Sequence, residues 1–378
     1  MRKLSYLVAI FASIVFSNTL ISQEADSIVQ FIFTSDLHFG SSKDQFRGNL
    51  NVPSWEVNQA MFNSMKQLAN QQFPKDNGVN SNRLISNIDE VIIAGDITSR
   101  MERGFQSAKT SWSQFSNIYL KGDGIQNPSG KKAAISVVPG NHDMSNAIGF
   151  HRPMKPNKDP SSMLGMYNSM ISLAHPITEF DSARNRIHFS KNINGVHFIF
   201  LSLWPDSAER KWMENDLINV KQTTPVLLVA HSMPDVEARF FINPNGNHDV
   251  NDKDKFENLV PEMYKDSDSV KGNTIIEQKA LVTFLKKHTN IKAYFHGHKT
   301  YTEYYNWQGP DHDINLPCIR SDSPIHGFVS DQDETKLAYE IVTINTHTML
   351  LTVREVLWNA QKNDTVINWG KSINISLR

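Results

Sequence analysis

Short, predominantly apolar runs that stop at polar clusters restrict the fold of this chain more than any other feature. Such runs, rich in β-branched residues, are typical of strands buried on both faces. They cover Val29 to Thr34, Val91 to Ala94, Ala133 to Val138, Val196 to Leu201, Val226 to Ala230 and Ile291 to Phe295. Stretches with helical character lie between them, at Trp55 to Gln72, Gly104 to Leu120, Ser161 to Leu173, Ser207 to Val220 and Ile275 to His288. The alternation predicts a layered α/β fold.

Two hairpins are predicted outside this alternation. Residues 186–190 and 196–201 flank a connection that ends in Asn194-Gly195, a residue pair typical of hairpin turns. Residues 337–344 and 349–355 form a second candidate.

Two further segments are predicted to lie outside the layers. Residues 232–273 are rich in Asp, Asn, Lys and Pro and are too long for a plain connection, which indicates an insertion over one face. From Trp358 onward the sequence is typical of a polar tail.

The N-terminal segment has the layout of a secretory signal peptide. Arg2 and Lys3 precede an apolar run from Leu4 to Phe16, and small residues follow up to Ser22. The run is shorter than the ~20 apolar residues that a membrane-spanning helix needs, so an uncleaved anchor is the weaker alternative. We predict a signal peptide over residues 1–22, a secreted or periplasmic mature protein, and no stable membrane insertion after cleavage.

The charge balance and the cysteine count exclude several classes of function. The 378 residues carry a formal charge of −1, whereas a dedicated nucleic-acid binder depends on many Lys and Arg. A single cysteine, Cys318, excludes a disulfide framework, a cysteine-ligated zinc site and an iron–sulfur cluster. A small charged substrate is compatible with this composition.

Residues with metal-ligating side chains stand at the ends of five of the predicted strands. They are Asp36 and His38 after the first run, Asp96 after the second, Asn141 and His142 after the third, His231 after the fifth, and His296 and His298 after the sixth. Because ligands bind beyond the carboxyl ends of strands in open α/β sheets, we expect these side chains to converge on one crevice.

Asp, His and Asn donors without a thiolate suit manganese, iron or zinc. The candidates are too many for one ion. In Asp36/His38 and His296/His298 the paired residues are two positions apart. An extended chain would put both members of a pair on one side, whereas a tight turn would spread them around two ions.

The ordered blocks D-x-H, G-D, G-N-H-D, a single H and H-x-H resemble those of the calcineurin-like metallophosphoesterase superfamily, over roughly residues 29–300. The resemblance implies an α/β fold with a two-sheet β-sandwich flanked by helices. Residues 23–378 would form one domain, with a core over 29–300, the insertion over 232–273 and a C-terminal extension over 301–378.

The resemblance also implies a role for each strand-end residue. Asp36, His38, Asp96 and His298 would hold a first metal ion, and Asp96, Asn141, His231 and His296 a second. His142 would be a proton donor to the leaving oxygen, with Asp143 as a candidate for orienting it. Two cations ~3.5–4 Å apart neutralise phosphoryl oxygens and lower the pKa of a bridging water, which yields a hydroxide for in-line attack.

The last block departs from the superfamily pattern G-H-x-H, because Phe295 occupies the glycine position. With His296 and His298 both present, the resemblance implies a changed turn rather than a lost ligand. Ser99 stands where the purple acid phosphatase branch carries a tyrosine, so the chain resembles the wider superfamily and not that branch.

Together these features predict an exported hydrolase that uses two divalent or trivalent ions to cleave a phosphate monoester or diester in a small substrate. The alternative is a non-catalytic protein that binds a metal or ligand on the same scaffold. A nuclease is a weaker alternative, since no run of Lys and Arg supplies a track for a phosphate backbone.

Overall fold

The computed structural model describes residues 27–99, 106–145, 161–171, 174–181, 184–236 and 275–378. The strands are β1 (Ile28–Thr34), β2 (Ser42–Phe46), β3 (Asn49–Pro53), β4 (Glu90–Ala94), β5 (Ala134–Val138), β6 (Phe189–Ile193), β7 (Val196–Phe200), β8 (Val226–Val229), β9 (Ile291–His296), β10 (Glu303–Trp307), β11 (Leu316–Arg320), β12 (Ala338–Asn345), β13 (Leu350–Leu357) and β14 (Asn368–Ser376). The α-helices are α1 (Ser54–Lys66), α2 (Ala108–Phe115), α3 (Asn141–Ser145), α4 (Ser161–Met170), α5 (Ser207–Leu217) and α6 (Ile275–Lys287).

Two six-stranded mixed sheets form the centre of the fold. The first has the order β14-β13-β12-β1-β4-β5, in which β1, β4 and β5 are parallel and β12 to β14 form an antiparallel meander. The second has the order β10-β11-β9-β8-β7-β6, in which the four inner strands are parallel and both edge strands are antiparallel. The ligand-bearing ends of β1, β4, β5, β8 and β9 are carboxyl ends of parallel strands.

The inner faces of the two sheets pack directly on each other. Phe31 of β1 makes edge-to-face contacts with Phe198 and Phe295 of the second sheet, at centroid distances of 5.3 and 5.5 Å. Helices α1, α2 and α4 cover the outer face of the first sheet, and α5 and α6 cover the outer face of the second. The predicted two-sheet α/β sandwich flanked by helices is confirmed.

Each of the six predicted strand runs becomes a strand, with one of its two ends shifted by one residue. In the first hairpin, β6 continues to Ile193, so the turn consists of Asn194 and Gly195 alone. Both turn residues have positive φ angles, 44° and 88°, as the tightest hairpin turns require.

The predicted polar tail after Trp358 is wrong. This part of the chain contains β14, which pairs with β13 along the edge of the first sheet. Ile373, Ile375 and Leu377 alternate with polar residues and contact the core between the sheets. The segment is predominantly polar because one face of this edge strand is open to solvent.

Residues 301–378, predicted as an extension, supply β10 and β11 to the second sheet and β12 to β14 to the first. The predicted signal peptide, residues 1–22, lies outside the described residues, and so does all of the predicted insertion beyond residue 236. Within the described residues, no helix is both long and apolar enough to cross a membrane.

Candidate metal centre

The chain segments that leave β1 and β4 stay paired beyond the ends of the two strands. The amide of Asp36 donates to the carbonyl of Gly95 at 3.0 Å, and the amide of His38 donates to the carbonyl of Asp96 at 2.9 Å. The two loops therefore run side by side, and this pairing brings Asp36, His38 and Asp96 together.

Four of the predicted ligands have left-handed backbone conformations. The φ angles are 55° at Asp36, 45° at His38, 49° at Asp96 and 70° at His298. Non-glycine residues adopt such angles at a cost of about 1–3 kcal/mol each, and these angles cluster at functional sites. The surrounding fold stabilises these strained conformations. The turns that they form direct the side chains into one crevice.

One group of donor atoms converges tightly around Asp96. His231 Nε2 lies 3.2 Å from Asp96 Oδ2 and 3.1 Å from Asn141 Oδ1. His298 Nδ1 lies 3.0 Å from Asn141 Oδ1 and 3.1 Å from His231 Nε2. These four residues, Asp96, Asn141, His231 and His298, form the tight donor group.

A second, more open donor group shares Asp96 with the first. His38 Nε2 lies 3.7 Å from Asp36 Oδ1 and 4.0 Å from Asp96 Oδ2. His142 Nε2 also lies 4.0 Å from Asp96 Oδ2. Asp36, His38, Asp96 and His142 form the open donor group, in which His142 is placed either as a fourth donor or as a proton donor beside the centre.

The chemistry of the tight donor group fits a cation. His231 Nδ1 lies 2.7 Å from the carbonyl of Ala94, and a carbonyl only accepts, so Nδ1 carries the proton. In the neutral ring, Nε2 then directs a lone pair at the Asp96 carboxylate, an arrangement typical of metal-ligating histidines. Burial disfavours charge on this ring, yet the Asp96 carboxylate outweighs burial and raises the pKa of His231 to about 9. The centre therefore attracts positive charge.

The Asp96 carboxylate is held by a backbone amide of the segment that follows β5. Its Oδ1 accepts from the backbone amide of His142 at 2.8 Å, which leaves Oδ2 directed at both donor groups. Burial alone would raise the pKa of the Asp96 carboxyl, but the imidazoles of His231 and His142 hold it well below its usual range. Asp96 is 2% exposed and is suited to the bridging position that the sequence predicts.

Asp143 does not orient the His142 ring, the role for which the sequence makes it a candidate. Its carboxylate accepts from the backbone amides of Gly140, Ile97 and Thr98 at 2.9–3.0 Å. It therefore joins the loop that carries Asp96 to the turn that carries His142. Asp143 positions both residues through the backbone rather than by orienting the His142 ring.

Gly297 allows the loops after β1 and β9 to meet. A Cβ atom at this position would lie 1.7 Å from Ser35 Oγ and 2.3 Å from Asp36 Oδ2. The neighbouring amide, that of His298, donates to Asp36 Oδ2 at 2.9 Å. Only glycine permits this approach.

The structure does not bring His296 into either donor group. Its Nδ1 lies 3.0 Å from the carbonyl of Gly297, and its Nε2 lies 2.8 Å from the hydroxyl of Tyr305. Both ring nitrogens are thus engaged with groups outside the two donor groups. His298 lies in the tight donor group, at the position expected for His296, rather than in the open one.

The sequence contains a pattern that indicates His298, rather than His296, as the member of the tight donor group. Aligning Gly297-His298 with the first two letters of the pattern G-H-x-H satisfies the glycine that Phe295 fails to supply. The second histidine of the pattern then falls on Thr300. On this alignment the open donor group lacks one of the histidines that the superfamily pattern implies.

One residue near the centre was missed by the sequence analysis. The ring of His326 lies 5.1 Å from that of His38, and its Nε2 lies 2.9 Å from the hydroxyl of Ser41. No strand-end pattern surrounds His326, and it reaches the centre from a loop that follows β11. Only the fold places it there.

Comparison with known proteins gives one family match. A family model described as calcineurin-like phosphoesterase matches residues 29–300. A search of curated proteins gives no match.

Among solved structures the chain has distant likenesses. The phosphopantetheinyl hydrolase of Mycobacterium tuberculosis is 12% identical, with 79% of this chain and 91% of that chain covered and a TM-score of 0.35. A calcineurin-like phosphoesterase of Bacillus subtilis is 10% identical, with 93% and 91% covered and a TM-score of 0.33. The 5'-nucleotidase precursor of Thermus thermophilus is 8% identical, with 92% and 54% covered and a TM-score of 0.37. Values this low carry no argument about substrate.

Proposed function

The chain belongs to the calcineurin-like phosphoesterase family, and on that premise we propose that it is a hydrolase that uses two metal ions to cleave a small phosphate ester. The family is hydrolytic and typically binds two metals. The observation that supports the proposal best is the position of Asp96 Oδ2, which lies between the tight and the open donor groups. Donor sets of His, Asp and Asn suit manganese, iron or zinc.

The residues of this chain would have distinct tasks. Bound cations would supply Lewis-acid charge for the phosphoryl oxygens and would activate the attacking water. Asp96 would fix the spacing of the two ions. Its Oδ1 is held by a backbone amide, which leaves Oδ2 directed at both donor groups. Hydrolysis forms a bond from the water oxygen to phosphorus and breaks the bond from phosphorus to the ester oxygen.

His142 is the candidate proton donor for that departing oxygen. Its side chain is 25% exposed, whereas the side chains of Asp96 and His231 are 3% and 0% exposed. It therefore lies at the accessible face, where a substrate would enter. Burial lowers the pKa of the free imidazole, so a bound phosphate dianion would have to favour its protonated form.

The choice between monoester and diester depends on groups around this face. We propose a small phosphorylated substrate rather than a nucleic acid, because the chain carries a net charge of −1 and has no run of basic residues.

Export of the protein is part of the same proposal. It rests on the basic, apolar and small-residue order of residues 1–22. N-terminal sequencing of protein purified from its native host tests it: a mature chain that begins near residue 23 is expected, and an intact Met1 would contradict export by cleavage.

A non-catalytic binding protein is the second candidate, and one observation favours it. His296 is turned away from the centre and Thr300 carries no imidazole, so the open donor group is weaker than the superfamily pattern implies. A scaffold that has lost one ligand could hold a single ion or none.

Release of nitrophenol from nitrophenyl phosphate and bis(nitrophenyl) phosphate separates the two candidates. The protein is loaded with manganese, iron or zinc, its metal content is measured, and each ester is assayed before and after chelation. We expect turnover of at least one ester that chelation abolishes and metal restores. Fully loaded protein that hydrolyses neither ester would contradict the hydrolase and support the binding protein.

A further inference from the structure

The loop over residues 321–331, here termed the mouth loop, is tied to the metal centre at several points. The hydroxyl of Ser323 donates to the carbonyl of Asp36 at 2.7 Å, and the amide of Phe328 donates to the carbonyl of Thr300 at 2.6 Å. At its far end, Lys43 Nζ lies 2.7 Å from Asp331 Oδ1. Since Lys43 is 2% exposed, this ion pair is shielded on the lysine side. The mouth loop is therefore held in one position relative to the donor groups.

The mouth loop places a histidine beside the open donor group. The ring of His326 lies 5.1 Å from that of His38, and the ring of His142 lies 4.9 Å from the same His38 ring. The amide of His326 donates to the Ser323 hydroxyl at 3.0 Å, which fixes the backbone. Its Nε2 lies 2.9 Å from Ser41 Oγ in an exposed contact. Two histidines thus lie against His38, and neither is buried away from an incoming substrate.

The mouth loop also presents apolar surface that the fold does not bury. Phe328 is 69% exposed and Val329 is 48% exposed. The Phe328 ring lies 6.3 Å from the ring of Tyr301, which follows His298 by three residues. Arg320 also contacts Tyr301, with its guanidinium carbon 3.8 Å from the ring centroid. Phe328 and Val329 are adjacent, and exposed apolar residues that lie together are typical of ligand-binding grooves.

We propose that the mouth loop is the substrate-binding wall of this centre, with His326 as a hydrogen-bonding contact to the phosphoryl group and Phe328 as an apolar contact to the group esterified to it. The substrate class would be phosphate esters with an apolar or aromatic substituent. This inference rests on the proposed function for the position of the phosphate, and it adds the side of the centre on which the substituent lies.

The chemistry of the loop supports this division. A neutral imidazole has one N–H and one lone pair, so when Nε2 of His326 accepts from the Ser41 hydroxyl, Nδ1 carries the N–H and can donate to a phosphoryl oxygen. Ligand pockets combine apolar walls with a few polar groups that fix orientation. Here His326 lies against the His38 ring, and the apolar Phe328 and Val329 follow it in the same loop and are exposed.

Binding of two phosphonates to the metal-loaded protein tests the proposal without requiring turnover. Phenylphosphonate and methylphosphonate share the phosphoryl group and differ in the substituent. We expect wild-type protein to bind the phenyl compound about tenfold more tightly, the factor that corresponds to ~1.4 kcal/mol. F328S should reduce this preference to about twofold or less, because the variant removes the apolar contact while the phosphoryl contacts stay intact.

Leu84 supplies the matched control. It is 68% exposed and precedes β4, at the opposite end of that strand from Asp96. L84S should keep the wild-type preference. A preference that is equal in wild type and F328S would overturn the assignment of Phe328, whatever the outcome of the hydrolysis assay.

His326 is tested by the same titrations together with metal analysis. H326A should weaken the binding of both phosphonates by a similar factor, about tenfold to a hundredfold, since a lost hydrogen bond to a charged group has this order of effect. H326Q should recover part of the loss, because the amide can still bond a phosphoryl oxygen. Metal content should equal that of wild type in both variants. Loss of an ion from H326A would show a metal ligand instead and would overturn the proposal, as would unchanged affinity.

Discussion

The tight and the open donor groups share Asp96 but differ in how closely their atoms approach. In the tight group His231 Nε2 lies 3.1–3.2 Å from its neighbouring donor atoms, and His298 Nδ1 lies 3.0–3.1 Å from its own. In the open group the corresponding distances are 3.7–4.0 Å. Distances near 3 Å are those between ligands of one ion with metal–donor bonds of ~2.0–2.2 Å.

The difference follows from what lies behind each donor. His231 is held by the carbonyl of Ala94, and Asp96 by the amide of His142. In the open group, by contrast, the buried Nδ1 atoms of His38 and His142 have no hydrogen-bond partner among the described residues. A ligand whose second nitrogen is not held is free to change its ring orientation. One half of the centre is thus preorganised, and the other depends more on the ion that it binds.

The largest effect is expected when the shared residue is changed. Asp96→Asn removes the negative charge from both groups, so metal retention and activity should be lost together, with a fall in kcat/KM of at least ~10³-fold. Metal analysis and ester hydrolysis check this, with circular dichroism to confirm folding. A variant that kept two ions would show that Asp96 does not bridge.

A matched pair of variants separates the two halves. His231→Ala should remove the ion of the tight group, and His38→Ala the ion of the open group, because each deletes a neutral nitrogen donor from one group only. Since the tight group is preorganised, His38→Ala should keep one tightly bound ion, and His231→Ala should bind its remaining ion more weakly. Stoichiometry and chelator competition measure both. Equal affinity of the remaining ion in the two variants would contradict the claim that only the tight donor group is preorganised.

The role of His142 should be visible in the leaving-group dependence. If it donates a proton, His142→Ala keeps both ions and lowers kcat by about 10²-fold for alkyl phosphates. The loss should be smaller for nitrophenyl esters, whose departing oxygen needs no proton. Loss of an ion would instead identify His142 as the fourth donor of the open group.

The smallest effect is expected at His296. Its ring contacts Gly297 and Tyr305 rather than a donor atom, so His296→Gln should leave the metal content unchanged and alter kcat/KM by less than about threefold. Loss of these contacts should lower the free energy of unfolding by ~1–2 kcal/mol. His298→Gln is the matched comparison and should lose the ion of the tight group. Reversed outcomes would restore the ligand assignment predicted from the sequence.

Much of the fold could be predicted because buried parallel strands have a clear sequence pattern. β1, β4, β8 and β9 are predominantly apolar, and their ends carry the ligand-type residues in order. The edge strand β14 was missed because its exposed face is polar, which hides the alternation of Ile373, Ile375 and Leu377. Edge strands commonly carry such polar residues, since exposed apolar edges aggregate.

The site was less predictable than the fold. His296 and His298 are two residues apart and chemically identical, so their spacing does not say which one faces the centre, and only the fit of Gly297-His298 to the G-H of the superfamily pattern favours His298. The turn at Gly297 and the left-handed φ of 70° at His298 decide this. His326 meets Ser41 across a sequence separation of 285 residues, and no local pattern records that contact.

The sequence by itself determined the layers of this protein, the order of its ligand-bearing strand ends and the family to which it belongs. These properties follow from hydrophobic periodicity and from residue types at fixed positions along the chain. The tertiary structure decided how the donors divide between two groups, which histidine joins them, and which loop places His326 beside His38. Those choices depend on the pairing of loops beyond the strand ends and on backbone angles that residue types do not specify.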